Sequence, residues 1–257
     1  MAITRMPAIF IGHGNPMNAI QDTPFSRRWE ALATTLPKPR FILCISAHWE
    51  TKGTKVTYSA SPRTIHDFGG FPRELFEVEY PAPGSPALAD KVIAQYLDQV
   101  VQPDLCWGLD HGCWSVLRKM YPEAGIPVVQ LSIDYNLSLK EHFKLAGSLA
   151  ALREKGVLII GSGNIVHNLR LAQWGSDQVY GWARDFDGTV RQRIEERRFT
   201  ELLEMDGIEG SSLAVPTPEH YIPLLYTLAL YKDEEISLFN EGFDLSSISM
   251  TSLVLKG

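Results

Sequence analysis

At 257 residues the chain is long enough for one sizeable α/β domain and does not require two. Its net charge of -6, with no Lys/Arg tract, removes the electrostatic case for nucleic acid or an anionic membrane as partner. An N-terminus without a long apolar stretch, and no later segment of membrane-spanning length, lead us to expect a cytoplasmic protein that meets small molecules or other proteins.

Short β-branched runs alternate with segments of helical period, the pattern of a central mixed β-sheet flanked by helices, in a single α/β domain over 1–257. Strands are expected at 7–12, 41–46 (FILCIS), near 55–58, at 127–133 (PVVQLSI), at 157–161 (VLIIG) and in the C-terminal SISMTSLVL. Helices are expected over 24–35, 86–100, 112–120, 138–155, 178–196, 198–205 and 217–231. Ser138 with Glu141 three residues on reads as a capping box, and Thr217 followed by Pro218 reads as a second helix start. Residues 59–84 form a long connection punctuated by Pro and Gly, and its Phe68, Phe71, Phe76 and Tyr80 argue for a packed loop. Three cysteines, Cys44, Cys106 and Cys113, contain no CxxC pair, which argues against a disulfide framework or a thiolate zinc knuckle. Cys44, inside an apolar run, is expected to pack as a small hydrophobe.

The histidines carry the functional signal. His13 follows AIFIG, His48 follows FILCISA and His167 follows VLIIGSGNIV, so three apolar strands each lead into a histidine. His111 stands in LDHGCW before a helix, and His220 stands in VPTPEHY, in the first turn of the expected 217–231 helix. Any one of these, alone, is more often a hydrogen-bonded packing residue. Five at element ends can converge on one pocket, and imidazole is both the commonest metal ligand and the side chain that exchanges protons near neutral pH. His142, in KEHFK, reads as part of a solvated helix face with no role. The stretch GSGN lacks the third glycine of a dinucleotide fingerprint and the Lys of a P-loop, and Ser46 and Ser162 stand in no G-x-S-x-G elbow.

Six stretches, IGHGNPMNAI, CISAHWE, TIHDFGGFP with YPAPG, LDHGCWSVL, IGSGNIVHNLR and PTPEHYIPLLY, run in order along nearly the whole chain. Together they resemble the class III extradiol ring-opening dioxygenases, in the 4,5-DOPA branch of that family. The resemblance implies an α/β enzyme that opens the ring of a DOPA-like catechol with O2 to give a muconic semialdehyde. It implies His13, His48 and His220 as metal ligands, with His167 either a further ligand or the acid/base, and His111 as a supporting residue or a proton donor on the substrate's side. His66, Asp67, Phe68 and Tyr221 are expected to contact the substrate. A three-His set departs from the usual ferrous pair of histidines with one carboxylate, for which Glu219 is the adjacent alternative, and it is also the set that zinc hydrolases use. The resemblance implies Fe(II) for activity, and Zn(II) is expected in isolated protein because the affinity order places zinc above iron. A zinc hydrolase on this scaffold, or a metal- or partner-binding protein without activity, are the alternative readings.

Overall fold

The structure, a computed structural model, describes residues 5–96 and 100–257. Its strands are β1 (Ala8–Gly12), β2 (Phe41–Thr51), β3 (Lys55–Thr57), β4 (Gln102–Asp104), β5 (Val128–Asp134), β6 (Val157–Gly163), β7 (Ile236–Phe239), β8 (Phe243–Asp244), β9 (Ile248–Ser249) and β10 (Ser252–Leu255). Eight of these form one sheet in the order β4-β3-β5-β2-β6-β1-β10-β7, while β8 and β9 make a separate ribbon. The centre, β5-β2-β6-β1, is parallel, and β3 and β10 pair onto it antiparallel. The fold is thus α/β with a central mixed sheet flanked by helices, as the alternating pattern implied.

Side chains that alternate along each strand feed two cores. Phe10, Leu43, Ile45 and Ile159 pack on one face beneath the helices Gly181–Glu195 and Ile222–Leu228. Ile9, Ile11, Ile42, Cys44 and Ile160 pack on the other, against Trp29 of the helix Pro24–Thr35 and Trp114 of the helix His111–Met120. Covered on both faces, the central strands carry long apolar runs, which is why they stood out in the sequence. Cys44 is buried among apolar side chains, as expected, and among the described residues no helix is long and apolar enough to cross a membrane.

Several boundaries differ from the sequence reading, and each difference has a local cause. β2 continues to Thr51, so His48 lies within the strand and not beyond its end; the register against β5 shifts between Ile45 and Glu50, as a bulge would produce. The expected 217–231 helix begins only at Ile222, because Pro223 has no N–H to give and fits only in a first turn. His220 therefore occupies a turn that precedes the helix, whose single loop of hydrogen bonds runs from the N–H groups of Tyr221 and Ile222 to the Pro218 carbonyl. The 138–155 helix breaks after Gly147 and resumes at Ala150–Arg153, since Gly147 and Ser148 in succession weaken it. The 198–205 helix is reduced to Phe199–Leu202, and the C-terminal run divides into β9 and β10. The 86–100 helix is seen as Pro86–Ile93, and residues 97–99 of that expectation lie outside the described residues. The short edge strands β4 and β7 were not anticipated, being only three and four residues long.

Candidate metal centre and cavity

β1, β6 and β2 are neighbours, and their carboxyl ends deliver three histidines to one place, where open parallel sheets characteristically bind ligands. His13 directly follows β1, with its N–H on the Gly163 carbonyl at 3.1 Å. His48 projects from the bulged end of β2, and His167 follows β6 and bridges to Ile248. The turn that carries His220 is pressed onto β6: the Asn164 N–H reaches the His220 carbonyl at 2.9 Å, and a Cβ on Gly163 would lie 2.2 Å from that oxygen. The close approach that the glycines of GSGN permit is thus to this turn, and not to a phosphate. His111 opens its helix, which Asp110 caps by accepting from the Cys113 N–H. These five histidines line one cavity of about 510 Å³.

Hydrogen bonds fix how three of the rings face it. The Ser162 hydroxyl donates to the Gly112 carbonyl at 2.5 Å, so toward His13 Nδ1, 3.0 Å away, it can only accept. His48 Nδ1 lies 3.3 Å from the Asp67 carboxylate, a charge contact that favours a proton on that nitrogen. The Asn164 amide nitrogen is committed to the Ser249 carbonyl at 2.7 Å, which turns its oxygen to accept from His220 Nδ1 at 3.3 Å. These contacts favour a proton on Nδ1 of each ring, which leaves the lone pair on Nε2. The Nε2 atoms of His13 and His48 stand 3.1 Å apart, close enough for one ring to donate to the other if either shifts its proton, and ligand atoms of His13, His48 and His220 all lie within 4.8 Å of one another. Lone pairs crowded at that distance repel unless a cation sits before them, so the residues present fit a metal ion.

Burial, followed by the neighbouring imidazoles, holds His13, His48 and His220 well below the ordinary imidazole pKa, which keeps them neutral as ligands must be. Burial likewise lowers His167 to about 4, with His111 adding to the effect. The His167 ring stacks on His220, centroids 3.4 Å apart and 11° from parallel. A metal lies in the plane of an imidazole that ligates it, and planes so nearly parallel do not converge on one ion. A competing group of His167, Glu219 and His220 also has its donor atoms within 4.8 Å, and the stacking disfavours it for the same reason.

The aromatic wall comes partly from the loop over residues 59–84. Phe68 and Phe71 line the cavity edge to face, and Phe68 also meets His111. Two of the four residues expected to touch substrate are not brought there. His66 turns back and donates to the Val78 carbonyl at 2.9 Å, closing the loop on itself. Tyr221 points into the core, buried, with its hydroxyl directed to the Leu202 carbonyl at 3.3 Å. His142 corrects the reading more sharply: it is fully buried, with Nδ1 3.2 Å from the Tyr226 hydroxyl, because its helix packs this face onto the helix Ile222–Leu228. Sequence reasoning missed Glu50 and Trp174, which line the cavity, and Ser162 and Asn164, which orient its histidines. The signal for the last two was available, since both lie in the GSGN stretch that follows an apolar strand.

Inward-facing imidazoles at the carboxyl edge of a parallel sheet, beside an aromatic-walled cavity, make a site that could hold a metal ion against a small aromatic molecule. The pattern of the family described as the catalytic LigB subunit of aromatic ring-opening dioxygenase matches residues 6–256, and the chain belongs to that family of extradiol ring-opening enzymes. It is 47% identical over 262 residues to a 4,5-DOPA dioxygenase extradiol of Escherichia coli strain K12, covering 98% of this chain and 96% of that one. A 4,5-DOPA dioxygenase extradiol of Beta vulgaris is 41% identical, with 91% of each chain covered. The crystal structure of an uncharacterized protein from Escherichia coli K12 superposes with a TM-score of 0.84 at 42% identity, covering 98% of this chain and all of that one.

Proposed function

We propose that this chain opens the ring of a DOPA-like catechol with O2, giving a muconic semialdehyde, at a ferrous ion held by His13, His48 and His220. The observation that carries the reading is the pair of His13 and His48 Nε2 atoms 3.1 Å apart in an aromatic-walled cavity. When bound, ferrous iron supplies redox chemistry toward dioxygen and open positions for two catechol oxygens. The chain supplies the rest. Phe68 and Phe71 hold the catechol ring and exclude water from it. His167, neutral because its pKa is near 4, takes a proton from a catechol hydroxyl and returns one as the ring opens. His111 is the second imidazole on the substrate's side. Glu50 and Glu219 line the same cavity and offer carboxylates to the ammonium of an amino acid side chain, which favours DOPA over a neutral catechol.

Anaerobic loading with Fe(II), followed by DOPA in air, tests the reading: a yellow ring-opened product should form with matching oxygen uptake. His167→Ala should keep its metal and lose roughly 10²- to 10⁴-fold in kcat, the usual share of a positioned proton-transfer group. Metal loss in that variant would make His167 a ligand. Background oxygen uptake across a panel of catechols, with ester or amide hydrolysis by the zinc-loaded chain, would replace the reading with a zinc hydrolase.

A further inference from the structure

Asp67 was expected to touch substrate, yet its carboxylate is already engaged by protein on both oxygens. Oδ1 accepts the backbone N–H of His111 at 2.8 Å. Oδ2 accepts from His111 Nδ1 at 2.9 Å and faces His48 Nδ1 at 3.3 Å. The two rings it bridges are in contact, centroids 3.8 Å apart, and both line the cavity.

We propose that Asp67 is a positioning residue that sets the proton of two cavity imidazoles at once, fixing both His48 and His111 as Nδ1–H tautomers with free Nε2 atoms. An ionised carboxylate has only lone pairs to offer, so His111 Nδ1 must donate to it, and the same charge 3.3 Å from His48 Nδ1 favours a proton there. For His48 this leaves Nε2 as the atom beside His13 Nε2; for His111 it leaves Nε2 as the one nitrogen able to accept a proton. One carboxylate thus gives a metal-facing ring and a substrate-facing ring the same protonation pattern. It does so from the 59–84 loop, so that the docking of this loop is coupled to the state of the site. The side chain belongs with the groups that orient ligands and bases, whose loss typically costs 10- to 100-fold in metal affinity or activity.

An amide cannot substitute for this carboxylate, although it has the same shape. If Asn placed its oxygen toward the two rings, its NH₂ would face the His111 N–H, donor against donor. If it placed its NH₂ toward the rings, at least one ring would have to move its proton to Nε2.

The test uses the full chain labelled with ¹⁵N at histidine and stripped of metal by chelator. Ring-nitrogen spectra report which nitrogen carries the proton, with His48→Ala and His111→Ala identifying the two sets of resonances. In the unsubstituted chain both rings should show Nδ1–H, and in Asp67→Asn at least one should change to Nε2–H. The kinetic arm, which rests on the ring-opening reading, expects Asp67→Asn to lower kcat by roughly 10- to 100-fold while KM for the catechol stays within about twofold. Nε2–H on either ring of the unsubstituted chain overturns the proposal, as does Nδ1–H on both rings of Asp67→Asn. A raised KM with kcat intact would also overturn it, by making Asp67 a substrate contact. If Asp67→Asn does not fold, or if no catechol is turned over by the unsubstituted chain, the tautomers of the unsubstituted chain alone still decide.

Discussion

A buried histidine outside the cavity shows most directly what one residue contributes. Burial lowers the His142 pKa to about 4, partly opposed by the nearby Asp134 and Glu141. The unfolded chain, with an ordinary imidazole near 6.5, therefore binds more protons between pH 4 and 6.5. The stability gained by burying the neutral ring is complete above the upper value, is lost as pH falls through the window, and falls no further below the lower one. Such a shift is worth on the order of 3 kcal/mol. We expect His142→Ala to lower stability by about 2 to 3 kcal/mol at neutral pH while leaving metal content and turnover unchanged. Denaturant titrations should show the gap between the two proteins narrowing from pH 6.5 to pH 4. A gap that does not change with pH would mean that the ring contributes only packing. The sequence could not announce this residue, because KEHFK is polar around His142 and only the partner helix decides which face is covered.

At the scale of elements, the site depends on how closely a turn can be pressed onto a strand end. β6 ends in Gly163, where an added Cβ would meet the His220 carbonyl at 2.2 Å, far inside any ordinary contact. Gly163→Ala should therefore displace the His220 turn and weaken metal binding by roughly 10- to 100-fold, although no ligand atom has been removed. Competition against a chelator of known affinity would measure it. Unchanged affinity would mean that the turn can retreat without carrying His220 Nε2 out of range. The elements themselves were legible wherever their pattern was long: β1, β5 and β6 and the helix Pro24–Thr35 emerged within a residue or two of their expected places, apart from β6's last two residues. What escaped was the continuation of β2 past Ser46, since His48, Glu50 and Thr51 break the apolar run while the backbone keeps pairing with β5.

At the scale of the whole molecule, the metal should act as a clamp between distant parts of the chain. His13, His48 and His220 come from an N-terminal strand end, a central strand and a turn before a late helix, so an ion bound to all three ties these segments in the folded state alone. Binding to the native state at 100 times Kd adds about 2.7 kcal/mol. Removing the metal with a chelator should therefore lower Tm, and adding Zn(II) or Fe(II) should restore it, whereas His13→Ala should give the same Tm with and without metal. A metal-dependent rise in Tm that survives in His13→Ala would remove His13 from the ligand set.

The sequence by itself determined the fold class and picked out the five histidines that line one cavity. Apolar strands buried on both faces are written as continuous runs, and the histidines stand at fixed offsets from those runs. It also carried the family, through six motifs in order. The tertiary structure alone decided which partners face the ring nitrogens, because that depends on Ser162, Asp67 and Asn164 approaching from other strands and loops. It alone turned His66 and Tyr221 away from the cavity, brought Glu50 and Trp174 into it, and buried His142. The division has a physical reason: periodicity reports which face of an element is apolar, whereas the direction of a polar side chain is set by partners far away in the chain.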